Sequence, residues 1–303
     1  MKEVRIYFEC LEQAAHFIKP ILEQTEAFKK KLFEIKLIKL TGNFHFYSKL
    51  VAPVVYLKDP DILITIIEDE IEYPLFQLEI STAVFTEDHE LQRFDGIVAS
   101  TENNCIYGKL SPLNKTSQSA HGGNTKFNYI TSYKAIYEKF GKLAFHFDWP
   151  CDEKGNVIVN PNYLSCPAEV KPLVSFLKQL ANFVSAGKIN FSNWLVDFEN
   201  ELVKEEGFPE WIEKLKSFTL PDLKTLNTSR TEWNEKQKAF YLKINRFGHA
   251  MDPERGMLAY YGTICDNTIS RMLFDKKNEA WYKDTPQETA IKKYLRTNGL
   301  KTA

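Results

Sequence analysis

The chain has 303 residues, 44% of them hydrophobic and 26% charged, the balance of an ordinary globular protein with material for one large domain or two. A formal net charge of -1 and a pI of about 6.6 exclude a whole-molecule field that draws in nucleic acid, so such a partner would have to meet local basic patches. No apolar run reaches the ~18 residues of a membrane span, and Met1-Lys2-Glu3-Val4-Arg5-Ile6 lacks the apolar stretch of a signal peptide, which makes the cytoplasm the expected location.

Val4 to Phe8 reads as a short strand or the start of a helix. From Leu11 to about Leu40 the apolar residues Leu11, Ala14, Ala15, Phe17, Ile18, Ile21 and Leu22 recur at helical spacing. Pro20 predicts a bend there, and Lys29, Lys30, Lys31, Lys36 and Lys39 fall on the second helical segment. Phe44-His45-Phe46-Tyr47 and Val54-Val55-Tyr56-Leu57 are strand-like. Two further apolar runs follow, Asp61-Ile62-Leu63-Ile64-Thr65 and Pro74-Leu75-Phe76-Gln77-Leu78-Glu79-Ile80-Ser81. Glu68-Asp69-Glu70 between them has the length of a hairpin turn, and with Glu72 it reads as a solvated turn.

Thr86 to Phe94 predicts a helix with Thr86 as N-cap, and Ile97-Val98-Ala99-Ser100 and Cys105-Ile106-Tyr107 predict further strand. Ser111 to Asn128 is a long polar loop containing His121-Gly122-Gly123. Tyr133 to Phe140 predicts a helix, Leu143 to Phe147 a strand, Asp152 to Asn156 a break, and Ala168 to Val184 a helix. Beyond Asn190 the pattern is largely helical, punctuated by Pro209, Pro221 and Pro253. The expected domains are therefore 1–188 and 189–303. The five cysteines are scattered without a CxxC pair, so buried thiols are expected in place of a disulfide framework or zinc site.

The most informative feature is the pair of acids. Asp61 follows Pro60 and opens one apolar run, while Glu79 interrupts the next, where a buried charge needs a partner. Neighbouring antiparallel strands can bring both carboxylates together at one edge of a sheet, and hard oxygen ligands of this kind suit Mg²⁺. The plainer alternative is that Asp61 caps a turn and Glu79 points to solvent.

Pro60-Asp61 and Glu79-Ile80-Ser81 resemble the motif of the PD-(D/E)XK nuclease superfamily, to which many type II restriction endonucleases belong. The likeness covers about residues 45 to 110. It implies that Asp61 and Glu79 bind Mg²⁺, and that a lysine two residues after the second acid positions or activates the attacking water. This chain has Ser81 at that place. On the following helix Gln92 and Arg93 are the expected helpers, Gln92 to orient water and Arg93 to stabilise charge on the phosphate. Arg93 alternatively pairs with Glu87, Glu90 or Asp95. Lys58 and Lys109 are weaker substitutes for the missing lysine.

Lys115, Asn124 and Lys126 in the long loop, with Arg246 and Arg255 near the C-terminus, are the expected DNA contacts. Lys238, Phe240, Tyr241, Lys243, Arg246 and Phe247 interleave basic and aromatic residues, which suits a nucleic-acid surface and an amphipathic helix equally. His249, Asp252 and Glu254 fit no zinc spacing. No P-loop, GxSxG elbow or GxGxxG fingerprint occurs.

The expectation is an α/β protein, a mixed central sheet flanked by helices in a restriction-endonuclease-like core, with a mainly helical C-terminal region. Its expected activity is Mg²⁺-dependent hydrolysis of double-stranded DNA by a homodimer, since two-fold sites match two-fold proteins. The alternatives are an inactive nucleic-acid-binding relative and a protein-interaction protein.

Overall fold

The computed structural model describes residues 2–57, 59–82, 93–113, 128–187, 189–205 and 207–221, with Tyr260 and four short strands between 231 and 283. The chain divides into two compact units. One comprises Met1–Phe85, Gly96–Ser119 and Ile136–Ser217; the other comprises Thr86–Asp95, Ala120–Ala135 and Phe218–Ala303. The segment 189–217 therefore belongs to the first unit.

The first unit is built on a six-stranded mixed sheet in the order β2-β1-β3-β4-β5-β6. Its strands are β1 (Lys2–Phe8), β2 (Phe33–Lys39), β3 (Ile62–Glu68), β4 (Ile71–Ile80), β5 (Ile106–Ser111) and β6 (Ala144–Asp148). β1 runs parallel to β2 and antiparallel to β3, β3 is antiparallel to β4, and β4, β5 and β6 are mutually parallel. A helix begins α at Leu11–Gln13, widens to π at Ala14–Ile18 and returns to α at Lys19–Glu23; together these form α1. The widened turn precedes Pro20, which cannot donate an N–H to a regular ladder. Thr25 caps the next helix, α2 (Glu26–Lys29), accepting the Phe28 N–H at 3.2 Å.

The expected second helical segment before Leu40 is instead strand β2, which carries Lys36 and Lys39 on the edge of the sheet. Charged residues on such an edge discourage pairing with another chain. Phe44–Phe46 is a single 3-10 turn and Ala52–Leu57 is helix α3, where strand was expected. Ile97 to Ser100 lies in helix α4 (Phe94–Glu102), also in place of strand. These short apolar runs carry too few residues to distinguish period two from period 3.6. α5 (Tyr129–Phe140) and α6 (Lys171–Ser185) stand where helices were expected. α7 (Trp194–Leu202) and α8 (Phe208–Ser217) complete the helices described here.

Turn Asp69–Glu70 joins β3 to β4 with both residues at positive φ, 49° and 65°, the left-handed pair that matches a two-residue hairpin to strand twist. Farther along, Ile64 pairs with Phe76 and Thr65 with Pro74, so Leu75 is an extra residue, a bulge. Pro74, which has no N–H for the ladder, sits beside it. On one face of the sheet Phe76, Phe145 and Phe147 pack on Phe176 of α6, with ring centroids 4.6, 5.3 and 5.7 Å from it. Phe176 in turn touches Phe198 of α7 and Phe208 of α8. On the other face Tyr7 and Leu63 pack with Val51, Val54 and Val55 of the α3 region.

A short hairpin of β7 (Val159–Asn160) and β8 (Tyr163–Pro167) follows the sheet. Before it, Asp152 accepts the backbone N–H groups of Lys154 and Asn156, and Gly155 holds a φ of 80°. Cys105 and Cys166 are buried, Cys10 and Cys151 half-buried.

The second unit contains a four-stranded sheet in the order β11-β12-β10-β9, with all neighbours antiparallel. Its strands are β9 (Thr231–Asn234), β10 (Ala239–Leu242), β11 (Met272–Asp275) and β12 (Ala280–Lys283). Helix was expected here, and most of the residues beyond 230 lie outside the described ones; the described strands include Ala239-Phe240-Tyr241-Leu242, rich in residues that suit a pleated surface. In the same unit the Phe94 ring meets Tyr260 edge-on at 5.2 Å. No helix among the described residues is long and apolar enough to cross a membrane.

Two outcomes follow from this packing. At Gly108 of β5 an added Cβ would meet Phe76 Cζ at 2.5 Å and Phe147 Cε2 at 3.0 Å. Both rings are wedged in the aromatic core, so Gly108→Ala should cost about 1–3 kcal/mol, read as a lower urea midpoint; an unchanged midpoint would contradict the packing. Glu199 of α7 accepts the Leu143 N–H at 2.8 Å, and burial pushes its carboxyl up to about 7 despite that bond and nearby Lys142. With the folded pKa above the unfolded one, its contribution is full below about pH 4.5 and is lost as pH rises through about 7. Denaturation series at pH 4.5 and 7.5 should show Glu199→Gln removing up to about 3 kcal/mol of that loss; an unaltered pH slope would refute it.

Candidate functional site

Glu79 lies on β4, one of the two central strands of the sheet, and Asp61 immediately precedes β3, the other. Ile62 pairs with Leu78 at this end of the β3–β4 ladder, so Asp61, the residue before Ile62, comes to the end of β4 that carries Glu79. The Asp61 carboxylate also accepts the Ile80 backbone N–H at 2.5 Å. It therefore closes the end of the β3–β4 ladder, as a capping acid does, while lying next to Glu79. Glu79 is only 5% exposed and does not point to open solvent.

The row continues across the sheet. Glu79 pairs in register with Lys109 of β5, and Lys109 with His146 of β6. In-register neighbours on parallel strands project from the same side, so Glu79, Lys109 and His146 form one line across the parallel strands, with Asp61 at the adjoining strand end. Lys109 is 2% exposed. His146 Nε2 lies 2.9 Å from the Ser111 hydroxyl. Burial, then the charges of Lys109 and Lys214, hold the imidazole well below its usual range and keep it neutral. Ser81, at the place of the motif lysine, extends the ladder by donating its N–H to Leu110 O at 2.9 Å. Two positions before Glu79, Gln77 takes the Ser100 hydroxyl of α4.

The same face carries a second polar group toward the hairpin end. Glu72 is 6% exposed, not part of a solvated turn. Its Oε1 accepts Tyr7 OH at 2.8 Å and Thr65 Oγ1 at 2.7 Å, and its Oε2 lies 3.3 Å from Arg5 Nη1. Arg5 also pairs with Glu3 at 2.6 Å. Burial works against the Glu3 charge, yet Lys36 and Arg5 hold its carboxyl below the ordinary value. Glu72 and Glu79 lie an odd number of positions apart and would face opposite ways on a regular strand. The extra residue Leu75 turns both to one side.

Arg93 belongs to the described residues, immediately before α4, and falls in the second unit. Gln92, Lys58, Lys115, Asn124, Lys126, Arg246 and Arg255 lie outside them, as do the expected helix start at Thr86, the His121-Gly122-Gly123 loop and the His249, Asp252, Glu254 cluster. No group of three or more His, Cys, Asp and Glu side chains gathers for a metal among the described residues. Two adjacent carboxylates nonetheless suffice for Mg²⁺, which keeps several of its waters. Lys109 rated only as a minor substitute in the sequence and His146 not at all. Their placement beside Glu79 depends on parallel register, for which a single sequence carries no signal.

No protein-family model, curated protein or solved structure matches the chain.

Removing the Tyr7 hydroxyl strips a buried carboxylate of one donor, so Tyr7→Phe should lower stability by about 1–3 kcal/mol. Chemical denaturation measures this, and a loss below a few tenths would mean that Glu72 is satisfied without it.

Proposed function

We propose that the chain is a Mg²⁺-dependent endonuclease of PD-(D/E)XK type acting on double-stranded DNA, in the manner of a type II restriction enzyme. The observation that carries this reading is the Ile80 N–H donated to the Asp61 carboxylate, one residue from Glu79, together with the register of Glu79 against Lys109. Two acids and one lysine side by side are the residue types the motif calls for. The lysine comes from the adjoining strand, while Ser81 fills its customary place. Bound Mg²⁺ would supply an acidified water and neutralise phosphate charge.

In this reading Asp61 and Glu79 hold the ion. Asp61 keeps one oxygen on the Ile80 N–H, which fixes the carboxylate plane. Lys109 donates to the attacking water or to the scissile phosphate. Lys115, Asn124, Lys126, Arg246 and Arg255 are the proposed DNA contacts, and a homodimer would serve both strands.

A second reading has one observation in its favour: Ser81 stands at the lysine position and Asp61 already serves as a backbone cap. A catalytically silent DNA-binding relative would have those features.

Long mixed-sequence DNA incubated with Mg²⁺ decides between them. Wild type should yield discrete fragments. Asp61→Asn, which preserves an acceptor for the Ile80 N–H, should melt like wild type yet not cut, and Lys109→Met should cut about 10²–10³-fold more slowly. Salt-dependent DNA binding without cleavage would favour the silent relative. No binding at low salt would defeat both.

A further inference from the structure

A second site lies in the first unit, at the other end of β4. A cavity of about 360 Å³ opens where the β3–β4 turn, the Asn103–Asn104 turn before β5 and the segment leading into α7 meet. Tyr73 on its wall precedes Glu79 by six positions, about 20 Å along a strand at ~3.3 Å per residue, so the two sites are separate.

The walls are flat. Tyr73 and Phe191 stack with centroids 3.7 Å apart and an interplanar angle of 3°, against 76° for Phe176–Phe198 in the core. Trp194, behind them, gives its indole N–H to Asn104 O at 3.2 Å and fixes that turn.

The polar groups are oriented. Asn103 spends its Nδ2 on Ala99 O at 2.7 Å, and its Oδ1 remains an acceptor. Asn104 Oδ1 takes Lys142 Nζ at 2.9 Å, leaving its amide nitrogen as a donor. Asn190 Oδ1 takes the Ser192 N–H at 3.1 Å, leaving its own nitrogen likewise. Each amide is thus held by one end and presents the other. Glu68, braced by Lys2 at 3.1 Å, and Asp69 add carboxylates to the lining. Among the described residues no lysine or arginine lines the cavity.

We propose that this cavity binds a nucleobase that bears an exocyclic amino group. A planar heteroaromatic ring suits the stacked wall, fixed amides read its donor and acceptor edge, and the carboxylates favour amino donors. The two carboxylates of the lining disfavour phosphate. The volume is in the range of small-molecule pockets. The base can come from a free nucleoside or from unpaired nucleic acid, and the inference is independent of cleavage at Asp61.

Calorimetric titration of the full chain with adenosine, cytidine, uridine and inorganic phosphate tests it. Adenosine or cytidine should bind saturably, uridine more weakly and phosphate not at all. Phe191→Ala and Asn190→Ala, both surface-loop changes checked by circular dichroism, should weaken binding about tenfold or more, while Asp61→Asn should leave it unchanged. Competition by a twelve-nucleotide oligo-dA supports the unpaired strand as the source; saturable nucleoside binding without competition supports the free nucleoside. Absence of saturable binding by adenosine and cytidine up to millimolar concentration, or folded variants that bind as wild type does, would overturn the proposal.

Discussion

The antiparallel register of β3 against β4 governs the rest of the first unit. Setting Ile62 against Leu78 and Ile64 against Phe76 sends Phe76 and Leu78 into the aromatic layer beneath α6. Leu63, Gln77 and Glu79 go to the opposite side. A slip of one residue would exchange those sets, placing carboxylate and amide groups among phenyl rings. The cost of burying an unpaired charge makes the alternative pairing untenable.

Having one apolar and one partly polar buried face has an energetic consequence. The aromatic side supplies non-directional stabilisation through area removed from water. The polar side specifies geometry, because each buried group requires a partner at a defined distance and angle. Glu72 meets that requirement through Tyr7, Thr65 and Arg5, and Gln77 accepts from Ser100. Held through these bonds, Glu72 and Gln77 brace the face that carries Glu79 and Lys109. A support of that kind is what a site needs if it is to act on a ligand without rearranging first.

Some of this was legible in the residues. The β3–β4 hairpin, α6 and β6 follow from strong periodicity and clear breakers, and the two acids were singled out because they stand in apolar runs. The helical apolar spacing that starts at Leu11 does not carry through Phe33 to Lys39, where pairing with β1 makes strand. Ile97 to Ser100 contains β-branched residues but is helical in α4, so tertiary packing overrode local preference. Lys109 and His146 were obscure because parallel neighbours are joined through long crossovers, leaving no local trace of which residues line up. Glu72 was misjudged by its closeness to a charged turn, since nothing nearby in the chain announces Tyr7 or Arg5 as partners.

The unpaired Leu75 has one more implication. It changes the phase of β4 midway, so the strand keeps time with its neighbours only at its present residue count. Evolutionary length variation is consequently tolerable beyond either end of this strand but not within it: losing one residue between Glu72 and Phe76 would reverse the inside-outside order of everything downstream. A family descended from this chain should hold that interval constant while its flanking loops grow and shrink.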